Sequence, residues 1–294
     1  DQVLGDLYEA DLASGELTES LARELIDEVF ASFERFNGWN MQIGGWTPEG
    51  EDGTNALTLA IIEACGRNHF RRPNVAFRIT SKTSDSAVAR ALTALRDGSG
   101  RPALYNDDLY VKTLREMDLG LTDADACEIG FGGCTETMLA GMSNVGSLEG
   151  EINLAKALEL ALYDGYDPAD KSQRGPHTGK FEDMESFEEF VTAVKRQIQF
   201  RTAEYYAWDR EQLTNRFTQG DPKMARTLFT RDCIANRKSF EAGGARYNWC
   251  VVSYQGIANL IDSLAAIRQC VYERGTFDRA TLLAALRGDF EGRE

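Results

Sequence analysis

The sequence is poor in the side chains that usually build metal sites and disulfide frameworks. Its 294 residues include two histidines, His69 and His177, and six cysteines that lie far apart without any Cys-x-x-Cys pair. Zinc sites need several such ligands at characteristic spacing, so we expect no bound metal, and no motif indicates an organic cofactor. A chain of this size does not need disulfide staples. We expect its cysteines to be reduced, most of them as small buried residues.

Basic residues and long apolar runs are scarce as well. The chain has 32 Lys and Arg against 47 Asp and Glu, a formal net charge of -15, which argues against nucleic acid or an anionic membrane surface as the main partner. No run approaches the roughly 20 apolar residues of a membrane span, and the N-terminus, DQVLGDLYEADL, lacks the basic and apolar segments of a secretory signal. We therefore expect a cytoplasmic protein without nucleic-acid or membrane partners.

The remaining composition is that of a globular protein, with 43% apolar and 27% charged residues. Apolar periodicity, N-cap residues and glycines predict the secondary structure. In the first half the predicted elements are an approach segment over 1–17, a helix over 18–36 capped by Thr18, a glycine-rich loop over 44–53 and a helix capped by Asn55. They continue with a strand over 73–80, a helix over 84–96 capped by Ser84, an extended piece ending at 105 with a helix after it, and a short helix over 122–126.

The second half is predicted to hold a helix ending at 165, a long polar loop, a long helix opened by the capping box of Ser186 and Glu189, a strand over 247–254, and helices over 257–272 and 278–286. Strand and helix alternate through the first half, which favours an α/β fold with parallel strands. No composition shift marks a boundary, so we predict one continuous domain over 1–294. Arg78, inside a predicted strand, is either an edge charge or an inward anion contact.

The stretch over 128–165 carries the candidate chemistry. It begins as a short strand, meets three glycines at positions 130, 132 and 133, and then presents Cys134, Thr135 and Glu136. Glycine has no Cβ and can adopt positive φ, so these glycines allow a sharp bend and a close approach to another group. We expect a thiol and a carboxyl group at the tip of a loop.

Cys134 has three interpretations: a small buried residue, an ionic nucleophile, or a donor of hydrogen atoms. An ionic nucleophile needs a neighbouring His, Lys or helix N-terminus to lower its pKa, and no His lies near it in sequence. The carboxylate of Glu136 disfavours a thiolate by like charge but leaves a neutral thiol unharmed. In extended backbone, residues i and i+2 point to the same side, which would let Cys134 and Glu136 share one cavity.

At these residues the chain resembles the glycyl radical enzymes, the superfamily of pyruvate formate-lyase, glycerol and propanediol dehydratases and choline trimethylamine-lyase. The resemblance rests on the Gly-Cys-x-Glu motif that ends at Glu136, with further family-like stretches in family order along nearly the whole chain. These stretches are GGWTPEGEDGTN, PNVAFRI, GRPALYND, NLAKALELALYDG, HTG, FEDMESFEEF, GGARYN and GIANLIDSLAAIR.

The resemblance implies a ten-stranded α/β barrel made of two half-barrels, with the Cys loop inside. It also implies that Cys134 becomes a transient thiyl radical that abstracts hydrogen from a small substrate, while Glu136 acts as general acid or base. Dehydratase-like members carry Cys-x-Glu, whereas pyruvate formate-lyase has adjacent cysteines, so we favour cleavage of a C–O, C–N or C–S bond. Thr135 and Thr137 stand where dehydratase-like members commonly have Val and Pro, which leaves the substrate and its binding residues unknown.

The family's radical glycine lies in an Arg-Val-x-Gly-Tyr-like motif, and this sequence contains none. We therefore expect 1–294 to be the central and later part of a pyruvate formate-lyase-like catalytic domain, inactive alone. The radical would sit on a segment not present here, installed by an activating enzyme that carries S-adenosylmethionine and an iron–sulfur cluster; a homodimer is possible. The alternatives are a carbon–carbon lyase of the formate acetyltransferase type, a non-catalytic remnant or small-molecule-binding module, and, more distantly, an ionic Cys hydrolase.

Overall fold

A computed structural model describes residues 1–133, 136–144, 150–219 and 223–292. The chain forms two compact units. The first comprises Asp1–Ser147 and Asp221–Trp249, and the second comprises Leu148–Gly220 and Cys250–Glu294. That a single family domain runs through 1–294 stays a prediction.

The described α-helices are α1 (Gly5–Ser14), α2 (Glu19–Arg35), α3 (Ala56–Arg67), α4 (Asp85–Arg96), α5 (Asp107–Glu116), α6 (Leu154–Leu162), α7 (Phe187–Gln219), α8 (Met224–Phe229), α9 (Cys233–Asn236), α10 (Ile257–Ile267) and α11 (Arg279–Arg287). The described strands are β1 (Asn40–Gly44), β2 (Asn74–Ile79), β3 (Ala103–Asn106), β4 (Ile129–Phe131), β5 (Thr137–Leu139), β6 (Gly150–Asn153), β7 (Tyr166–Asp167), β8 (Ser172–Gln173) and β9 (Val252–Gln255). Within these described ranges, no helix is long and apolar enough to cross a membrane.

A parallel sheet of order β1-β2-β3 forms the centre of the first unit. Parallel neighbours need crossover connections, which α3 and α4 supply. Val75 and Phe77 on the central strand β2 pack with these helices in one core, whereas Ala76, between them, belongs to a second core with Phe131 of β4. Because strand residues alternate between faces, the sheet carries helices on one face and the β4–β5 hairpin on the other.

Helix starts in this unit follow the predicted caps. The side chains of Thr18, Asn55 and Ser84 each accept a hydrogen bond from the backbone N–H three residues later, which satisfies a donor that the first helical turn leaves unpaired. Asn106 does the same for α5 directly after β3. The predicted caps are confirmed. They could be predicted because an N-cap depends only on residues close together in the sequence.

Several elements of this unit were not predicted, namely α1, β1, β5, α8 and α9. The approach segment over 1–17 contains helix α1, whose only buried residue is Gly5, so it lacks the apolar stripe from which a helix is recognised. Strand β1 was also missed. It is defined by its parallel pairing with β2, Asn40 opposite Asn74 and Ile43 opposite Phe77, and that pairing is not local in sequence.

The second unit is built on the parallel pair β6–β9 with α6, α7, α10 and α11. Its core includes Leu158, Phe181, Phe190, Leu260 and Leu283. The capping box that opens α7 is confirmed: the Glu189 N–H donates to Ser186 Oγ at 3.2 Å, and Glu189 Oε2 accepts from the Ser186 N–H at 3.3 Å. The strand predicted over 247–254 is shorter than expected, since β9 begins at Val252.

Candidate active site

The β4–β5 hairpin presents the predicted catalytic stretch. The two strands pair antiparallel, with Ile129 opposite Leu139 and Phe131 opposite Thr137. Beyond the last pair, the Gly132 N–H donates to the carbonyl oxygen of Glu136 at 2.8 Å. Both ends of the intervening loop are therefore fixed by the hairpin. Cys134 and Thr135 lie outside the described residues, so the predicted position of the Cys134 thiol stays a prediction.

Glu136 is sheltered in the hairpin, with 8% of its surface exposed. Its carboxylate lies directly against the backbone of Gly133, where any Cβ would overlap the carboxylate oxygens. Gly133 precedes Cys134 in the chain. The carboxyl group therefore fills the space beside Gly133 that a side chain would occupy, instead of extending into solvent.

The glycines before Cys134 have two expected roles, a sharp bend and a close approach to another group. The structure supports the second. None of Gly130, Gly132 and Gly133 has a positive φ, so the bend does not use the left-handed region. A Cβ on Gly130 would lie 3.2 Å from both the Gln42 amide and Met138 Cγ, which is tighter than usual. At Gly132 the nearest atom would be Met138 Cε at 3.4 Å, an ordinary contact. Gly133 is therefore the position where the absence of a side chain matters most.

Two amide side chains of β1 reach the hairpin, and sequence reasoning missed both. Asn40 Nδ2 donates to the carbonyl oxygens of Phe131 at 2.6 Å and Gly133 at 2.5 Å. The Gln42 amide donates to the Ile129 carbonyl at 2.9 Å and accepts from the Phe131 N–H at 3.1 Å. Neither residue belongs to a motif that indicated function, and their partners lie about 90 positions away along the chain.

Aromatic rings cover the hairpin beside the loop. Tyr105 stacks on Phe131 with ring centroids 4.1 Å apart, and Tyr110 meets the same ring edge-on at 5.4 Å. Burial raises the pKa of the Tyr110 phenol, and a hydrogen bond with Thr137 opposes that shift only in part. The Trp249 indole N–H donates to the Thr137 carbonyl at 3.2 Å. These contacts surround β4 and β5 with rigid, largely apolar groups.

Arg78 is an inward anion contact, the second of its two predicted alternatives. Its Nε and a terminal nitrogen bond the two carboxylate oxygens of Asp107 at 2.7 and 2.8 Å, and Asp107 is fully buried. The same terminal nitrogen donates to the Cys127 carbonyl at 2.9 Å, and the Trp46 N–H donates to Asp107 at 2.8 Å. This ion pair ties β1, β2 and α5 to the chain that enters β4.

Cys65, Cys127, Cys233 and Cys270 carry free thiols. Burial raises the pKa of Cys65 to about 12 and also raises that of Cys127, so both stay protonated near neutral pH. His177 is an exposed residue whose Nδ1 lies 2.9 Å from Asp164 Oδ2. Over 1–133, 136–144, 150–219 and 223–292, no group of three or more His, Cys, Asp and Glu side chains could hold a metal.

The sequence was compared with protein families and with known proteins. The sequence model of the family described as pyruvate formate lyase-like matches residues 1–294. The trans-4-hydroxy-L-proline dehydratase of Clostridioides difficile is 32% identical over 311 residues, which cover 100% of this chain and 39% of the relative. The isethionate sulfite-lyase of Nitratidesulfovibrio vulgaris is 30% identical over 318 residues, with 100% and 38% covered.

Solved structures that resemble this chain include dehydratases as well. The hydroxyproline dehydratase of Clostridioides difficile with trans-4-hydroxy-L-proline bound aligns with a TM-score of 0.82 over 99% of this chain and 39% of that one, at 32% identity. The glycerol-bound, B12-independent glycerol dehydratase of Clostridium butyricum aligns with a TM-score of 0.77 over 94% and 36%, at 30% identity. The chain thus spans about two fifths of the length of these relatives. The predicted resemblance and the α/β fold class are confirmed.

Proposed function

The chain belongs to the pyruvate formate lyase-like family, and from this premise we propose that it is the part of a glycyl radical enzyme that carries the catalytic Cys134 and Glu136. The reaction we propose is cleavage of a C–O, C–N or C–S bond in a small substrate. Relatives named as dehydratases and as a sulfite-lyase support these bond types. The sequence supports them too, since a single cysteine is followed by Thr135 and Glu136 where a carbon–carbon lyase of the formate acetyltransferase type would have adjacent cysteines.

The observation that carries the proposal is the placement of the Glu136 carboxylate. It is 8% exposed and lies over Gly133, the residue before Cys134. A general acid or base must lie within hydrogen-bond reach of the group that it protonates or deprotonates. We infer that a carboxylate held beside the residue before the cysteine can reach a substrate that the same sulfur attacks.

The proposed steps balance in atoms and electrons. The glycyl radical takes the hydrogen atom of the Cys134 thiol, leaving a thiyl radical. The thiyl takes a hydrogen atom from a substrate carbon that bears a hydroxyl group. Glu136 accepts the hydroxyl proton, and the bond to the leaving group on the adjacent carbon breaks with both electrons on that group, which receives the proton from Glu136. The product radical then regains a hydrogen atom from the Cys134 thiol, which restores the thiyl.

The remaining components are proposed from the family resemblance. The radical glycine is on a segment outside this sequence, and an activating enzyme that carries S-adenosylmethionine and an iron–sulfur cluster installs the radical. A small molecule is the substrate, and a homodimer is the assembly to be tested. The free cysteines suit a reducing compartment, and we propose the cytoplasm as the location.

The test uses the full enzyme that contains this chain, with its radical segment and activating enzyme, under strict exclusion of oxygen. Electron paramagnetic resonance measures the glycyl radical, and turnover is measured on candidate hydroxy, amino and sulfonate substrates. We expect Cys134→Ser to keep the glycyl radical and abolish turnover, because serine does not form the corresponding oxygen radical readily. Cys270→Ser, a change at a free cysteine of the second unit, is the matched control and should leave turnover intact.

Glu136→Gln keeps the size of the side chain and removes its ability to carry a proton. General acid–base catalysis contributes about 10²–10⁴-fold to typical rates, and we expect a loss of that order in kcat with an unchanged radical yield. Full turnover in Cys134→Ser would contradict the proposal. A wild-type enzyme that gains the radical but turns over no substrate would instead favour a small-molecule-binding module.

A further inference from the structure

Strand β1 presents two different faces. Met41 and Ile43 pack with the helical core of the first unit, while Asn40 and Gln42 bond the β4–β5 hairpin. This alternation is the period of two of a β-strand. Two amide side chains on one face of β1 therefore point towards the strand that enters the catalytic loop.

The two amides bond polar backbone groups along β4 and just beyond its end. Gln42 bonds the Ile129 carbonyl and the Phe131 N–H, and Asn40 bonds the carbonyls of Phe131 and Gly133, all between 2.5 and 3.1 Å. One edge of β4 pairs with β5, and β4 belongs to a different sheet from β1. Side chains thus supply on the second edge of β4 the bonds that a neighbouring strand would otherwise make.

The sequence of β4 is adapted to this contact. A Cβ on Gly130 would lie 3.2 Å from the nearest atom of the Gln42 amide group, so glycine lets the amide lie close to the strand. The last bond of the set, from Asn40, ends on the Gly133 carbonyl. That oxygen belongs to the peptide group whose nitrogen is that of Cys134, and peptide groups are planar. Asn40 therefore fixes the orientation of the peptide plane from which Cys134 continues.

We propose that Asn40 and Gln42 are positioning residues that hold the loop entering Cys134 at the distance and angle needed for hydrogen-atom transfer. The inference rests on the proposed function. Hydrogen transfer requires the two heavy atoms close together, and an error of about 1 Å in placement can cost about 100-fold in rate. Glycine restrains the backbone less than other residues do, so at Gly132 and Gly133 the precision comes from hydrogen bonds made by other elements, and the amides of β1 provide them.

The test separates placement of the sulfur from the rest of the reaction. A glycyl radical keeps one α-hydrogen, which splits its electron paramagnetic resonance signal. In D₂O the Cys134 thiol exchanges to S–D; it then gives deuterium to the glycyl radical, and the thiyl takes a hydrogen back from the same glycine. Repeated transfer replaces the α-hydrogen and removes the splitting. The rate of this loss measures transfer between glycine and Cys134 with no substrate present.

The informative variant is Asn40→Asp in the full activated enzyme, which keeps the shape but replaces the donating NH₂ by an oxygen facing two carbonyls. We expect the loss of splitting and kcat to slow together by about 10- to 100-fold, with KM and radical yield unchanged. Gln42→Glu alters the bonds to Ile129 and Phe131, which lie farther from Cys134, and should slow both rates by a smaller factor. It also provides a second test if Asn40→Asp fails to fold.

The matched control is Asn74→Asp. Asn74 lies opposite Asn40 on β2, and in the part of the chain that the structure describes its side chain makes no hydrogen bond. The same chemical change there should leave both rates at the wild-type value. Equal rates for wild type and Asn40→Asp would overturn the positioning role while leaving the proposed function intact. Absence of exchange in the wild type would overturn the role of Cys134 itself, and the proposed positioning role with it.

Discussion

Alanine at position 133 should displace the carboxylate of Glu136 and little else. A Cβ on Gly133 would lie 2.5 Å from the Glu136 carboxyl carbon and closer still to its oxygens, whereas carbon atoms in contact are normally about 3.5–4.0 Å apart. The backbone at this position does not have a positive φ, so alanine is not excluded by its conformation. The strain is relieved if the carboxylate withdraws by about 1 Å.

The expected size of the effect follows from that distance. An error of about 1 Å in a reacting group can cost about 100-fold in rate, and complete removal of an acid–base group costs about 10²–10⁴-fold. We therefore expect kcat of Gly133→Ala to fall by about 100-fold, and by no more than that of Glu136→Gln. Radical yield, measured by electron paramagnetic resonance, should not change, because that step does not require Glu136.

Gly132→Ala is the adjacent control. There the added methyl would meet Met138 Cε at 3.4 Å and Glu136 Cβ at 3.8 Å, which are ordinary contacts, so kcat should stay within about twofold of wild type. Steady-state kinetics of both variants, alongside urea unfolding to verify the fold, make the comparison. The reasoning is refuted if Gly133→Ala keeps wild-type kcat, or if Gly132→Ala loses as much as Gly133→Ala.

Two further predictions concern stability. Arg78→Met removes the partner of the fully buried Asp107 carboxylate and should cost about 3–5 kcal/mol in the free energy of unfolding, measured by urea titration; a cost below about 1 kcal/mol would contradict a buried ion pair. Tyr247→Phe removes a 2.7 Å hydrogen bond from the phenol to Asp125. That bond holds the pKa of Asp125 below its usual 3.8, while burial and the same bond raise the pKa of Tyr247 above its usual 10.0. The Asp125 contribution is present above pH 3.8 and is lost as pH falls through the lower folded pKa, whereas the Tyr247 contribution is present below pH 10.0 and is lost as pH rises through the higher one. The stability difference between wild type and variant should therefore be constant near neutral pH and shrink at both extremes, and a difference that does not depend on pH would contradict the assignment.

Local signals explain why much of the first unit could be predicted. The caps Thr18, Asn55 and Ser84 each act on a backbone group three residues away, so residue type and spacing are enough to predict them. Strand β2 is buried on both faces, and its sequence NVAFRI contains the β-branched and aromatic residues that favour a strand. The direction of Arg78 was left open, because its partner Asp107 is 29 residues away.

Strand β1 shows where sequence reasoning ends. Its residues, NMQIG, include Asn and Gly, which are depleted in strands. It becomes a strand because it pairs in parallel with the edge of β2. A sequence of five residues cannot predict a pairing partner more than 30 positions later. Asn40 and Gln42, which bond the β4–β5 hairpin, were missed for the same reason, since side chains on a strand that was not predicted have no predicted direction.

The structure also gives a physical reason for the glycine in the Gly-Cys-x-Glu motif. The glycine before Cys134 is needed because the carboxylate of Glu136 occupies the space that a side chain at position 133 would take. Gly133 and Glu136 therefore depend on each other, and Cys134 lies between them in the chain. Glycine at position 133 also restrains its backbone less than another residue would, whereas an error of about 1 Å in the placement of a reacting group can cost about 100-fold in rate. The bond from Asn40 to the Gly133 carbonyl resolves that conflict, because it restrains the peptide group without filling the space that the carboxylate needs.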